Sequence, residues 1–139
     1  MHITKEQIYY YDTDAEGVVY YGNYMRFLEV ARTKFVEDLG FNLKKLADDG
    51  FLFAIRKQEI DYKAPVFYGE TIEIRTRVDE ISPYRMRFYY EIYNSKGQKT
   101  TVARTDMVSV NRSFHLSEMS EDLFNKVKET IERDKSSKL

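Results

Sequence analysis

The sequence has no cysteine and no tryptophan, and only two prolines and two histidines among its 139 residues. Without cysteine there can be no disulfide, thiolate nucleophile or Cys-based zinc site. The same absence suits a reducing compartment. His2 stands at the start and His115 far along the chain. Neither has a partner at metal-ligand spacing, so the expectation is no metal site. A Ser-His-Asp triad has little to draw on, and no G-x-S-x-G elbow occurs. No apolar run approaches the ~20 residues that span a bilayer, so no transmembrane segment is expected. The opening MHITKEQIYY has no basic start followed by an apolar stretch, so no signal peptide is expected. Together these absences predict a cytoplasmic location. Charge of one sign is also lacking. Lys and Arg number 22 against 23 Asp and Glu, and the cations are spread along the chain, which argues against a nucleic-acid partner.

What is abundant is Tyr and Phe, with 12 and 9 copies. These residues favour pleated, half-buried surfaces, and they also line acyl pockets and subunit contacts. The spacing predicts a strand over 3–11, an irregular loop over 12–22 and a helix over 23–39. In that helix Tyr24, Phe27, Leu28, Ala31, Phe35 and Leu39 form one apolar stripe. Asn23 suits its N-cap and Gly40 its C-terminal cap. A short helical turn is expected over 43–49. Strands are expected over 51–63, 70–81, 85–93 and 98–111. Ile72, Ile74, Thr76 and Val78 share one face of the second of these, and Met86, Phe88, Tyr90 and Ile92 one face of the third. A C-terminal helix over 120–134 starts at a Ser120 cap, and Lys135 to Leu139 read as a frayed tail. Consecutive hairpins imply an antiparallel sheet, with the long helix packed on one face. The class is therefore α+β in one domain, 1–139.

The chemistry is narrowed by elimination. Gly17 and Gly22 have the spacing of a phosphate loop, but Asn23-Tyr24 stands where Lys-Ser/Thr is required, and no G-x-G-x-x-G occurs. No organic cofactor is implied. What remains is YYDTDAEGVVYYGNY over 10–24, a carboxylate-bearing loop that runs into a helix start. Free N–H groups at a helix start can hold a developing oxyanion, and a nearby carboxylate can act as base or nucleophile. Taken alone, Asp14 reads as a loop aspartate making a local turn bond, and Asp12 as its structural neighbour. Glu29 and Arg32, three apart on the helix, read as an ion pair.

The string Tyr10-x-Asp12-Thr13-Asp14-x-x-Gly17-Val18-Val19-Tyr20-Tyr21-x-Asn23-Tyr24 resembles the signature of the 4-hydroxybenzoyl-CoA thioesterase family. It is most similar to the acyl-CoA thioesterase subgroup encoded with the Tol-Pal envelope system. Glu29-x-Ala31-Arg32 and Asp61-Tyr62-x-x-Pro65-x-x-Tyr68-Gly69-Glu70-x-Ile72 extend the likeness along the chain. The resemblance implies the hotdog fold, a curved sheet of about five strands wrapped around one long helix. It implies hydrolysis of an acyl-CoA thioester, in a homodimer or homotetramer with active sites at the dimer interface. It makes Asp14 the catalytic carboxylate and puts the Tyr21 backbone N–H on the thioester carbonyl. Some subgroup members carry histidine where this chain has Tyr21, so the implied role there belongs to the backbone. Gly17, Tyr20, Asn23 and Tyr24 become candidate substrate contacts. Arg85, and more weakly Arg87 and Arg112, become candidates for the CoA phosphates. Two other readings stay open: a thioesterase for acyl groups on an acyl carrier protein, and a hotdog module that binds acyl groups or an envelope-associated partner without catalysis.

Overall fold

A computed structural model describes residues 1–137. The elements are β1 (His2–Gln7), α1 (Tyr24–Asp38), α2 (Leu43–Asp48), β2 (Leu52–Tyr62), β3 (Thr71–Ser82), β4 (Arg85–Tyr93), β5 (Lys99–Val110) and α3 (Glu121–Ser137), with short 3-10 turns at Tyr10–Asp12 and Tyr21–Asn23. The five strands form one antiparallel sheet in the order β1-β3-β4-β5-β2. Both β1 and β2 are therefore edges.

The expected alternation produces the sheet's two faces. Ile72, Ile74, Thr76 and Val78 are buried, as are Met86, Phe88, Tyr90 and Ile92. Against them α1 lays Phe27, Leu28, Ala31 and Phe35, all nearly inaccessible to solvent. Phe35 meets Phe88 edge-on at 5.6 Å between ring centres. Leu123 and Val127 of α3 complete the same core. The outer face is polar. Arg85 grips Asp106 through two bonds of 2.8 and 2.7 Å, and Arg87 grips Asp79 through two of 2.9 and 3.2 Å.

Helix ends mostly follow the sequence. After α1 the Gly40 N–H bonds the Glu37 carbonyl and the Phe41 N–H bonds the Val36 carbonyl, with Gly40 at φ 98°. That left-handed step favours glycine and stops the helix. The Ser120 hydroxyl accepts from the Leu123 N–H, as a cap should. α3 runs on to Ser137, so Lys135 is helical rather than part of a tail. Residues 138–139 of the expected tail lie outside the described residues. Among the described residues no helix is long and apolar enough to cross a membrane.

Two expectations need correction. The first strand ends at Gln7, not at residue 11. The Asp12 carboxylate accepts from the Tyr9 N–H at 2.9 Å and turns the chain out of the sheet, which leaves Tyr10 and Tyr11 exposed. Asn23 does not cap α1. Its backbone is already helical, and its side chain donates to the Asp12 carbonyl at 2.9 Å. This bond fastens the helix start to the loop before it.

Candidate active site

Asp14 sits in a closed turn. Its N–H donates to the Val18 carbonyl at 2.9 Å, and its own carbonyl accepts from Gly17 at 3.1 Å. Gly17 makes this possible with φ 77°, a conformation a side chain would resist. One carboxylate oxygen, Oδ1, accepts from the N–H groups of Glu16 at 2.9 Å and Val18 at 3.4 Å. The local turn bond foreseen for a loop aspartate is present. It fixes the carboxyl group, and Oδ2 bonds nothing among the described residues, which leaves one oxygen for chemistry.

The same loop returns to the start of α1. The Tyr20 N–H donates to the Asp12 carbonyl at 3.0 Å. Thr13 bridges Val19 and Val18 bridges Phe67. Asp14 and Tyr21 therefore rise from one tied loop base. Tyr21 opens the 3-10 turn, and the N–H groups of Tyr21 and Gly22 find no acceptor among the described residues. Two free donors at a helix start suit an oxyanion.

Around this pair the aromatic residues divide by burial. Tyr24 is buried, and burial pushes its phenol above the ordinary tyrosine value. Tyr20 and Tyr21 are exposed. Tyr62, on edge strand β2, packs against Tyr21 at 4.8 Å and Tyr24 at 5.0 Å, and its hydroxyl donates to the Tyr21 carbonyl at 3.4 Å. Asp12 is fully buried, and Arg26 reaches it at 3.0 Å. Tyr62 stood in the Asp61–Ile72 stretch of the family likeness but was given no role at the site, and Arg26 carried no spacing signal.

A Cβ at Gly22 would stand 2.7 Å from Tyr20 Cε1, so the Tyr20 ring lies directly against this glycine. Gly22→Ala is expected to displace the ring and shift the turn. Small displacements of reacting groups are costly, so kcat should fall by up to ~10²-fold. Because the ring is exposed and free to swing, Tm should move by no more than roughly 4 °C. Steady-state kinetics beside a melting curve check this, and an unchanged kcat would mean the ring contact does not hold the turn.

Arg85 lies elsewhere in the chain. It pairs with Val108, whereas Tyr62 pairs with Thr101 seven residues along β5. At ~3.3 Å per residue the separation is roughly 23 Å, and Arg85 points to the outer face. Arg87 is held by Asp79, and Arg112 donates to the Asp48 carbonyl. The Arg85 hydrogen bonds, with help from Arg56 and Arg87, hold the Asp106 carboxyl below its usual range. A lowered folded-state pKa gives stability that is complete above the ordinary carboxylate value and is lost as pH falls through the folded value. Urea midpoints measured from about pH 5 downward should fall less steeply in Asp106→Asn than in wild type. Equal slopes would remove this pair from the acid response.

The family model described as "Thioesterase-like superfamily" matches residues 9–127. The acyl-CoA thioester hydrolase YbgC of Escherichia coli O6:H1 is 31% identical, over 76% of this chain and 78% of its own. The acyl-CoA thioesterase YbgC of Helicobacter pylori is 37% identical, over 63% of each chain. Among solved structures, the DHNA-CoA thioesterase from Staphylococcus aureus superposes with a TM-score of 0.85 at 28% identity, covering 98% of this chain and 91% of that one. The long helix clasped by a five-stranded antiparallel sheet is thus the hotdog architecture, and the chain belongs to the thioesterase-like superfamily as a thioester hydrolase.

Proposed function

We propose that the chain hydrolyses an acyl-CoA thioester to the free carboxylic acid and CoA, as a member of the Tol-Pal-associated subgroup. The observation that carries this reading is the half-pinned Asp14. Its Oδ1 is held by two backbone N–H groups while Oδ2 is free, on the loop whose far end presents the unbonded Tyr21 N–H. Asp14 acts on water as a base or attacks the thioester carbonyl itself, and the Tyr21 N–H takes the charge that develops on the carbonyl oxygen. Gly17 lets the backbone turn close to the ligand, and Tyr20 borders its approach. Tyr24 supports the floor from below. Asn23 acts through Asp12, to which its amide is committed.

The working unit is a homodimer, free-standing or paired into a tetramer. Asp14 is exposed in one chain, beside exposed Tyr20, Tyr21, Tyr62, Phe67 and Tyr68, so a single copy cannot exclude water from the reaction. β2 is an unpaired edge of 11 residues. Two-fold antiparallel pairing of β2 with a second copy would set the Leu52 end of one strand beside the Tyr62 end of the other. Leu52 and Phe53 rim an apolar cavity of about 280 Å³ that Asp14 of the same chain does not reach. Pairing would bring the second copy's cavity to it. Arg85 reaches this neighbourhood only from the second copy. No resident cofactor is invoked, and a cytoplasmic site suits the cysteine-free chain.

The test is thiol release from a panel of acyl-CoAs, with the same acyl groups on acyl carrier protein alongside. Hydrolysis of the CoA thioesters supports the proposal. Turnover of the carrier substrates alone would replace it with the carrier-protein activity. Acyl-CoA binding with no turnover of either would make the chain a binding module.

A further inference from the structure

Arg32 was expected to form an ion pair with Glu29, at the surface or half-buried. It faces inward instead and is only 9% exposed. Its Nη1 donates to the Tyr90 hydroxyl at 3.0 Å and to the Thr105 hydroxyl at 3.3 Å, both neutral partners. No carboxylate lies within ion-pair distance of it among the described residues. Glu29 is exposed at the rim. A buried cation without a counter-ion is costly, and proteins rarely keep one without a use.

Where the rest of the guanidinium faces is informative. Among the described residues the sealed side-chain nitrogens and oxygens that lack a partner are Arg26 Nε, Thr76 Oγ1 and Ser109 Oγ. Among the described residues Arg32 Nε and Nη2 also bond no protein group, and neither is one of the sealed atoms, so both are open to the space that Arg32 lines. That space is the cavity of about 280 Å³, whose other walls include Val36, Phe53, Met86, Phe88 and Met107. The lining is mostly apolar, with Arg32 its one cationic group and the exposed Glu29 its one anionic group, and the guanidinium fork suits a ligand that is apolar along its length and anionic at its tip. Two adjacent guanidinium N–H groups match a carboxylate in particular.

We infer that this cavity receives the far end of the acyl group and that Arg32 binds a terminal carboxylate there, so that the preferred substrates are CoA monothioesters of dicarboxylic acids. The inference rests on the thioesterase reading and names its substrate class.

The experiment compares kcat/KM for ω-carboxyacyl-CoAs and for methyl-terminated acyl-CoAs of matched length, in wild type, Arg32→Met and Arg32→Lys. Wild type should prefer the ω-carboxy series. Arg32→Met should collapse that preference by on the order of 10²-fold, as loss of one partner of a buried charge pair does. Arg32→Lys, which keeps the charge and loses the fork, should fall between. A wild type without the preference overturns the inference even if the variants fail to fold. Calorimetry with free dicarboxylic and monocarboxylic acids is read separately from turnover. Dicarboxylate binding that needs Arg32, in a protein inert toward every acyl-CoA, would keep the pocket and overturn the thioesterase reading. Turnover of methyl-terminated acyl-CoAs with neither preference nor Arg32-dependent binding would do the reverse.

Discussion

Asp14→Asn should lower kcat for acyl-CoA hydrolysis by roughly 10²–10⁴-fold with little change in melting temperature. The expected separation of activity from stability follows from geometry. Oδ1 accepts from Glu16 and Val18, and an asparagine Oδ1 can accept both bonds unchanged. The turn, its Gly17 conformation and the bridge between Thr13 and Val19 should therefore survive. What is lost is the free oxygen. An amide nitrogen there can neither take a proton from water nor attack a carbonyl. Thiol release measured beside a thermal melt is the check. A variant that keeps full turnover would transfer the chemistry to another group and leave Asp14 as a turn residue. A variant that loses turnover together with its fold would show that the charge, and not only the oxygen, holds the loop.

Much of the fold was legible because burial in this chain obeys the two elementary periods. The stripe on α1 and the alternation along β3 and β4 appear in the structure as they appear in the sequence, since each of those residues has one apolar layer to face. Legibility failed where a side chain bonds backbone outside its own element. The end of β1 is set by the Asp12 carboxylate, which bonds the Tyr9 N–H, and no periodicity reports that bond. Asn23 has the composition of a cap, yet its amide is used on the Asp12 carbonyl, 11 residues back. Arg32 was misread for a different reason. Its i,i+3 spacing from Glu29 suggested an ion pair, but it also lies four residues after Leu28 and three before Phe35, inside the apolar stripe. That position was the better signal. In the site, the motif identified the loop and the helix start, whereas Tyr62 and Arg26 come from other elements or faces and are joined to it only by folding.

Asp12→Ala should cost about 3 kcal/mol of stability and lower turnover as well. Asp12 is fully buried and is bonded on every side. Its carboxylate accepts from the Tyr9 N–H at 2.9 Å, from Arg26 at 3.0 Å and from the Asn23 amide at 3.4 Å. Breaking a buried charge pair by removing one partner costs about 3–5 kcal/mol. The Arg26 side chain is 40% exposed and can recover some hydration, with Glu6 at 3.7 Å as its remaining partner, which places the loss at the lower end. At about 2–4 °C per kcal/mol the melting temperature should fall by roughly 10 °C. Activity should suffer below that melt too, because the bonds around Asp12 tie the Asp14 side of the loop to the Tyr21 side, and looser placement of the two costs up to ~10²-fold. Asp12→Asn keeps the volume and an acceptor but removes the charge, so it should fall between wild type and alanine in both measurements. A denaturant titration that puts the alanine loss below about 1 kcal/mol would rank this pair with ordinary surface ion pairs, and the geometry of the catalytic loop would then have to come from its backbone bonds alone.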